Sequence, residues 1–155
     1  MLESSLISLR TLEISDLDFL FSLENDKTIW SVSGTTEPFS LSQLANYITH
    51  ATEDISISKQ FRFVIDWNGK AIGCIDLYNY NFIKQNASVG IVILEKYRRK
   101  GFAKQSLILL VKYAWEKLNL KQLFTEISSS NKESLALFHS GGFEMVKHNN
   151  YVLNR

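Results

Sequence analysis

Cysteine and proline are almost missing from this chain: one of each, Cys74 and Pro38, in 155 residues. A single cysteine excludes an internal disulfide and any multi-cysteine metal site. Cys74 sits inside an apolar run, where a small core residue is expected rather than a nucleophile. A charge excess is missing too. Lys and Arg number 17 against 16 Asp and Glu, and a formal charge of +1 is too small for a broad nucleic-acid footprint. Long hydrophobic runs are absent: the longest unbroken one, Leu107–Val111, has five residues, against the roughly 20 of a membrane span. The opening Met-Leu-Glu-Ser-Ser lacks a basic segment followed by an apolar one, so no signal peptide is expected and a cytoplasmic location is. His50, His139 and His148 fall on separate elements with no carboxylate pair at ligand spacing, so no metal is expected. No repeat, low-complexity tract or linker breaks the chain, which reads as one domain over 1–155.

What is present is an ordinary globular composition, 45% hydrophobic and 21% charged. Leu6–Glu13 alternates as a strand, and Ser15 then stands where an N-cap would, ahead of Leu17, Leu20 and Phe21. Ser40 with Gln43 makes a capping box before Leu41, Leu44, Ala45 and Ile48. Ile29–Phe39, rich in Ser, Thr and Gly and containing Trp30, reads as a loop, either plain surface or pocket-shaping. Phe61–Trp67 and Lys70–Tyr80 flank Asn68-Gly69, a strong hairpin signal. Ala87–Leu94 is the next strand. Lys104–Leu118 is the clearest helix, with apolar residues at three-and-four spacing. Leu123–Ser129 is a strand, Ser130 with Glu133 a second capping box, and Gly141-Gly142 the end of the helix it opens. Phe143–His148 and Tyr151–Asn154 form a last hairpin. The fold class is α/β (α+β), with about four helices and a mixed, mostly antiparallel sheet in which Ala87–Leu94 and Leu123–Ser129 run parallel across a helical crossover.

Between that first parallel strand and the long helix lies Arg98-Arg99-Lys100-Gly101-Phe102-Ala103-Lys104. A basic, glycine-containing loop opening a helix is suited to an anion, because the first helical turn leaves N–H groups unpaired at the positive end of the dipole. A pyrophosphate-bearing cofactor is expected here. The run G-x-x-x-x-G-K-[ST] is absent, and Gly101 alone does not make G-x-G-x-x-G, so neither of those two phosphate loops applies.

Arg98-x-x-Gly101-x-Ala103 resembles the [RQ]-x-x-G-x-[GA] acetyl-CoA signature of the GNAT superfamily of N-acetyltransferases. Asn131-x-x-Ser134, leading to Phe138 and Gly142-Phe143, resembles the family's N-x-x-[AS]…Y…G-F segment. The opening Leu9-Arg10-x-Leu12…Asp16-Leu17 is similar to the branch holding ribosomal-protein N-terminal acetyltransferases and polyamine acetyltransferases. The element order matches as well, so the resemblance spans nearly the whole chain.

The resemblance implies acetyl-CoA as co-substrate and an acetyltransferase as activity. The backbone of Arg99–Lys104, that is Arg99, Lys100, Gly101, Phe102, Ala103 and Lys104, would cradle the pyrophosphate beside Arg98. The strand edge from Ile91 through Ile93 to Leu94 would bind the pantetheine arm, with the Ile93 N–H on the thioester carbonyl. Asn131 would contact that arm where the two parallel strands splay. Glu126 stands where some relatives carry a catalytic glutamate, and alternation puts it on a face with Phe124 and Ser128. Phe138 stands where the family places a tyrosine acid, so the proton for the thiolate must come from elsewhere: water, Tyr151, Ser134 or His139. Ser88 replaces a glutamate that many relatives carry.

The expected acceptor is a primary amine of a small molecule, a polyamine or an amino sugar, with Glu24, Asp26, Glu37 and Asp76 available to attract it. A protein N-terminus is the alternative within the class, and a non-catalytic acyl-CoA-binding module the alternative outside it. The segment after Gly142 is shorter than in most of the branch, so the acceptor pocket would be reduced or completed by a second subunit, as in a homodimer.

Overall fold

The computed structural model describes residues 2–29 and 35–155. Its strands form one eight-stranded sheet. The elements are β1 (Leu2–Glu3), β2 (Ser8–Thr11), α1 (Leu17–Glu24), α2 (Leu41–His50), α3 (Ile55–Ser58), β3 (Phe61–Trp67), β4 (Lys70–Asn81), β5 (Asn86–Ile93), α4 (Phe102–Glu116), β6 (Gln122–Glu126), α5 (Lys132–Ser140), β7 (Glu144–Lys147) and β8 (Asn150–Asn154). Spatial order is β1-β2-β3-β4-β5-β6-β8-β7. All neighbours are antiparallel except β5 and β6, the pair joined through α4 as a crossover requires.

Alternation along the strands decides what each face buries. Phe63, Ile65, Ile75, Leu77, Val89, Ile93 and Leu123 point to one side and pack with Leu107, Leu110, Ala114 and Phe138 of α4 and α5. Val64 and Cys74 point to the other, against Leu20 and Leu23 of α1 and Leu44 and Ile48 of α2. Asn68 (φ 50°) and Gly69 (φ 83°) both turn left-handed in the β3–β4 hairpin, the geometry that its Asn-Gly signal demands.

Several boundaries differ from the sequence expectation, each for a local reason. Strand pairing covers only Ser8–Thr11 of Leu6–Glu13, and Leu2–Glu3 adds an edge strand. Ser15 is not the cap of α1. A 3₁₀ turn at Ile14–Asp16 precedes the helix, with Glu13 and Asp16 capping each other reciprocally. Ser130 and Glu133 do not form the second capping box either. Asn131, as good a cap as serine, takes that place and accepts the Ser134 N–H at 3.2 Å, while Glu133 is drawn to Arg99. The long helix begins two residues early, at Phe102, and β6 ends at Glu126. Beyond the four expected helices there is the short α3, capped by Asp54.

Candidate active site

β5 and β6 are paired only at Asn86↔Gln122, Ala87↔Leu123 and Ser88↔Phe124. Past Ser88 they part, and the strand edge beyond is open. The direction of its polar groups follows from one hydrogen bond. Leu94 donates its N–H to the Ile72 carbonyl of β4 at 2.9 Å, so alternation turns the N–H and C=O of Val89, Ile91 and Ile93 the other way, into the gap. Two contacts agree: the Thr125 hydroxyl donates to the Val89 carbonyl at 3.1 Å, and Arg98 Nε donates to the Ile93 carbonyl at 2.8 Å. Of the predicted strand residues, Ile91 and Ile93 thus present amides to the gap, whereas the N–H of Leu94 is already used.

The basic loop follows. After a 3₁₀ turn at Glu95–Tyr97, Arg99 (φ 61°) and Gly101 (φ 86°) are left-handed. Gly101 is the N-cap of α4 and has no side chain to cap it. The N–H groups of Phe102, Ala103 and Lys104, which a helix leaves without an internal acceptor, therefore need one from outside, while Gln105 already donates to Gly101. Apart from its chain neighbours, no protein heavy atom lies within 4 Å of where a Gly101 Cβ would stand. Phe102 is buried against Trp67 with ring centroids 5.4 Å apart, which fixes the first turn, and Lys100 and Lys104 are exposed. Arg98 is occupied with Ile93, and Arg99 pairs at the surface with Glu133 at 2.8 Å. These features fit a bulky anion bearing an extended polar arm: donors at a helix start, cations around them, and a free strand edge leading away.

A cleft of about 1000 Å³ opens beside this edge. Asn131, Ser134 and Phe138 of α5 line it on one side, Thr125, Glu126 and Ser128 on another, and Leu23, Glu24, Ile29, Thr35 and Phe39 on a third. Phe138 is buried edge-on against Phe143, centroids 5.0 Å apart. Trp30, in the loop read as a pocket-shaping candidate, lies outside the described residues.

Glu126 is exposed, whereas Leu123 and Thr125 are buried on the core face. It therefore shares its face with Phe124, as alternation predicts, and stands two residues past the last β5–β6 pair. Across the sheet on the same face run Gly90, Asp76 opposite it, and Arg62 opposite Asp76. Arg62 grips Asp76 with two bonds of 2.8 and 2.9 Å and also pairs with Glu24 at the end of α1. The Tyr47 ring lies under the guanidinium at 5.7 Å, and burial pushes its hydroxyl up to about 12. Cys74 is buried in the cleft wall, its thiol likewise pushed up to about 12 by burial, the core residue expected.

Of the four acidic candidates, Glu24 and Asp76 line the cleft, while Asp26 and Glu37 do not. Asp26 accepts from the Thr28 hydroxyl and N–H, which hold its carboxyl below the usual range. Tyr151 and His139 lie outside the lining and Ser134 within it. Sequence reasoning missed Arg62 and Tyr78. Arg62 left one signal: a guanidinium in the apolar strand Phe61–Trp67 must find partners on its face. Among the described residues no group of three His, Cys, Asp or Glu could hold a metal, and no helix is long and apolar enough to cross a membrane.

An uncapped helix start joined to an open parallel-strand edge is suited to an acyl-CoA. The family model described as "Acetyltransferase (GNAT) domain" matches residues 7–144, and the chain belongs to that family. It is an acetyl-CoA-dependent N-acetyltransferase. The spermidine N(1)-acetyltransferase of Vibrio cholerae is 29% identical over 142 residues, covering 90% of this chain and 80% of that protein. The crystal structure of spermidine N-acetyltransferase from Vibrio cholerae in complex with CoA and spermine superposes with a TM-score of 0.85 at 23% identity, covering 97% of this chain and 96% of that one. A dodecameric structure of the Vibrio cholerae enzyme superposes at 0.77 and 24% identity, covering 97% and 95%.

Proposed function

We propose that the acceptor is a small polycationic amine of the polyamine type, with Glu126 as the base. The observation that carries this is the charge of the cleft. Its described lining holds three carboxylates, Glu24, Asp76 and Glu126, against the single guanidinium of Arg62, and all line the same space as Ile91. Three carboxylates around one cation attract a multiply charged amine, whereas an amino sugar would need more neutral donors and acceptors. The activity for which the spermidine N(1)-acetyltransferase relatives are named supports the same choice.

In this reading the N–H groups of Phe102, Ala103 and Lys104 hold the pyrophosphate, helped by the backbone of Arg99, Lys100 and Gly101. Arg98 keeps the strand in place through the Ile93 carbonyl. The arm leaves the pyrophosphate at the end of β5, so the Ile93 amide holds the pantetheine, with Asn131 and Phe138 lining the cleft further along. The thioester then lies level with Glu126, where the Ile91 N–H, rather than that of Ile93, stabilises charge on its oxygen. An alkylammonium with a pKa near ~10.4 must lose one proton before it can attack and a second as the C–N bond forms, and Glu126, open to the cleft, receives the second. The whole of 1–155 works as one domain, in the cytoplasm, where acetyl-CoA is supplied. Association with further copies of the chain, as in the dodecameric relative, belongs to the same reading.

The test is CoA thiol release from acetyl-CoA across polyamines, amino sugars and their nucleotides, and N-terminal peptides. Turnover is expected with polyamines, and Glu126→Gln should slow it by about 10²-fold with acetyl-CoA affinity unchanged. Turnover confined to peptides would replace the acceptor. Acetyl-CoA binding without release on any amine would leave a binding module.

A further inference from the structure

With Phe138 in the cleft, the thiolate meets no tyrosine on the α5 side. Among the described residues one tyrosine lines the cleft, Tyr78. It stands on β4 opposite Ser88, the last regular pair before the register shifts between Tyr78 and Asn81. It lies two residues from Asp76 on the same strand, and so on the face shared with Gly90 and Glu126. A Cβ built on Gly90 would come 3.5 Å from Tyr78 Cε1. The ring therefore rests over β5 at the residue without a side chain, reaching toward the gap that the Ile91 amide faces. Of the other hydroxyls that line the cleft, Thr125 donates to Val89, Ser128 and Ser130 bond each other at 2.9 Å, and Ser134 and Thr35 are aliphatic alcohols, far weaker acids than a phenol. Burial, and then the charges of Glu126 and Asp76, push the Tyr78 hydroxyl above its ordinary value, so it carries its proton at neutral pH.

We propose that Tyr78 closes the proton path of the transfer, giving its hydroxyl proton to the CoA sulfur and taking one back from Glu126. This rests on the reading of Glu126 as base. An ammonium loses two protons on becoming an amide. One leaves to solvent before attack. The other passes to Glu126 as the C–N bond forms. The C–S bond breaks with its electron pair on sulfur, which accepts the Tyr78 proton. Glu126 then restores Tyr78, so both side chains end as they began and one proton is released overall.

Tyr78→Phe keeps the ring and removes the proton. With polyamine as acceptor, kcat should fall about 10²-fold, while acetyl-CoA affinity by calorimetry and the acceptor KM stay within about twofold. Phe138→Tyr should recover at least about tenfold in the Tyr78→Phe background, because it offers a hydroxyl from the opposite wall. Full activity in Tyr78→Phe beside a slow Glu126→Gln overturns the relay alone. Full activity in Glu126→Gln overturns base and relay together. A Tyr78→Phe loss confined to the acceptor KM, with no rescue by Phe138→Tyr, makes Tyr78 a wall of the pocket and overturns the proposal.

Discussion

Gly101 separates two demands that a basic loop usually confounds, backbone conformation and space. Its φ of 86° lies in the left-handed region, which costs an ordinary residue roughly 1–2 kcal/mol. Chain neighbours aside, the position of a Cβ there is empty of protein heavy atoms to 4 Å, so packing against the rest of the fold gives no steric reason for glycine. What the emptiness leaves is room for an anion to approach the N–H groups of α4. Asparagine tolerates this backbone region better than valine, and the two substitutions can be read against each other. Gly101→Asn should cost little stability, and Gly101→Val about 1–2 kcal/mol. Both should weaken acetyl-CoA by at least about tenfold, or about 1.4 kcal/mol, because any side chain stands in the proposed pyrophosphate site. Calorimetric affinity unaltered in the asparagine variant would show that the phosphate is held elsewhere. The neighbouring Arg99–Glu133 pair is exposed on both sides and is expected to matter little, as surface pairs contribute about 0–1 kcal/mol.

Helix α5 carries its own signal in a form that pattern reading misplaces by one residue. Ser130 with Glu133 satisfies the capping-box spacing, yet Asn131 with Ser134 offers an equally good cap, and only tertiary contacts choose between them. Arg99 draws Glu133 outward, Ser128 occupies Ser130, and Asn131 is left to close the helix. Asn131→Ala should therefore destabilise the protein by about 1 kcal/mol in urea unfolding. Asn131→Ser restores an N-cap oxygen and should restore stability. If Asn131 also touches the cofactor arm, acetyl-CoA affinity will stay depressed in the serine variant; recovery of both together would reduce Asn131 to a cap. The same contrast explains what was legible. Features written in adjacent residues came through: the Asn68-Gly69 hairpin, the Ser40–Gln43 box, the left-handed Gly142, the Arg98–Lys104 loop and the parallel crossover. Features made by distant residues did not. Arg62 meets Glu24 across 38 positions and Asp76 across 14. Tyr78 earns its place only because Gly90 stands beside it once β4 and β5 are paired.

At the scale of the molecule, two arginines from neighbouring strands hold α1 by its ends. Arg10 of β2 binds Asp16, just ahead of the helix, through two bonds of 2.8 Å and reaches Asp66 at 2.9 Å. Arg62 of β3 binds Glu24, the last residue of the helix, together with Asp76. The helix that walls the acceptor cleft is thus fastened to the sheet by charge at both ends and by Leu20 and Leu23 between. The pH dependence follows from Asp16. Burial opposes its ionisation, but the Arg10 guanidinium and the Glu13 N–H outweigh this and hold its carboxyl below the usual value. A carboxyl depressed in the folded state contributes stability that is complete above its unfolded value of ~3.9. That contribution is lost as pH falls toward the folded value. Asp16→Asn should accordingly cost about 2 kcal/mol at pH 7, and the difference from the unaltered protein should shrink below about pH 4. Urea unfolding of both proteins at the two pH values measures it. A difference that stays the same in acid would mean that Asp16 acts through hydrogen bonding and shape, which the amide partly reproduces, and that the charge of the Arg10 clamp does not hold α1 in place.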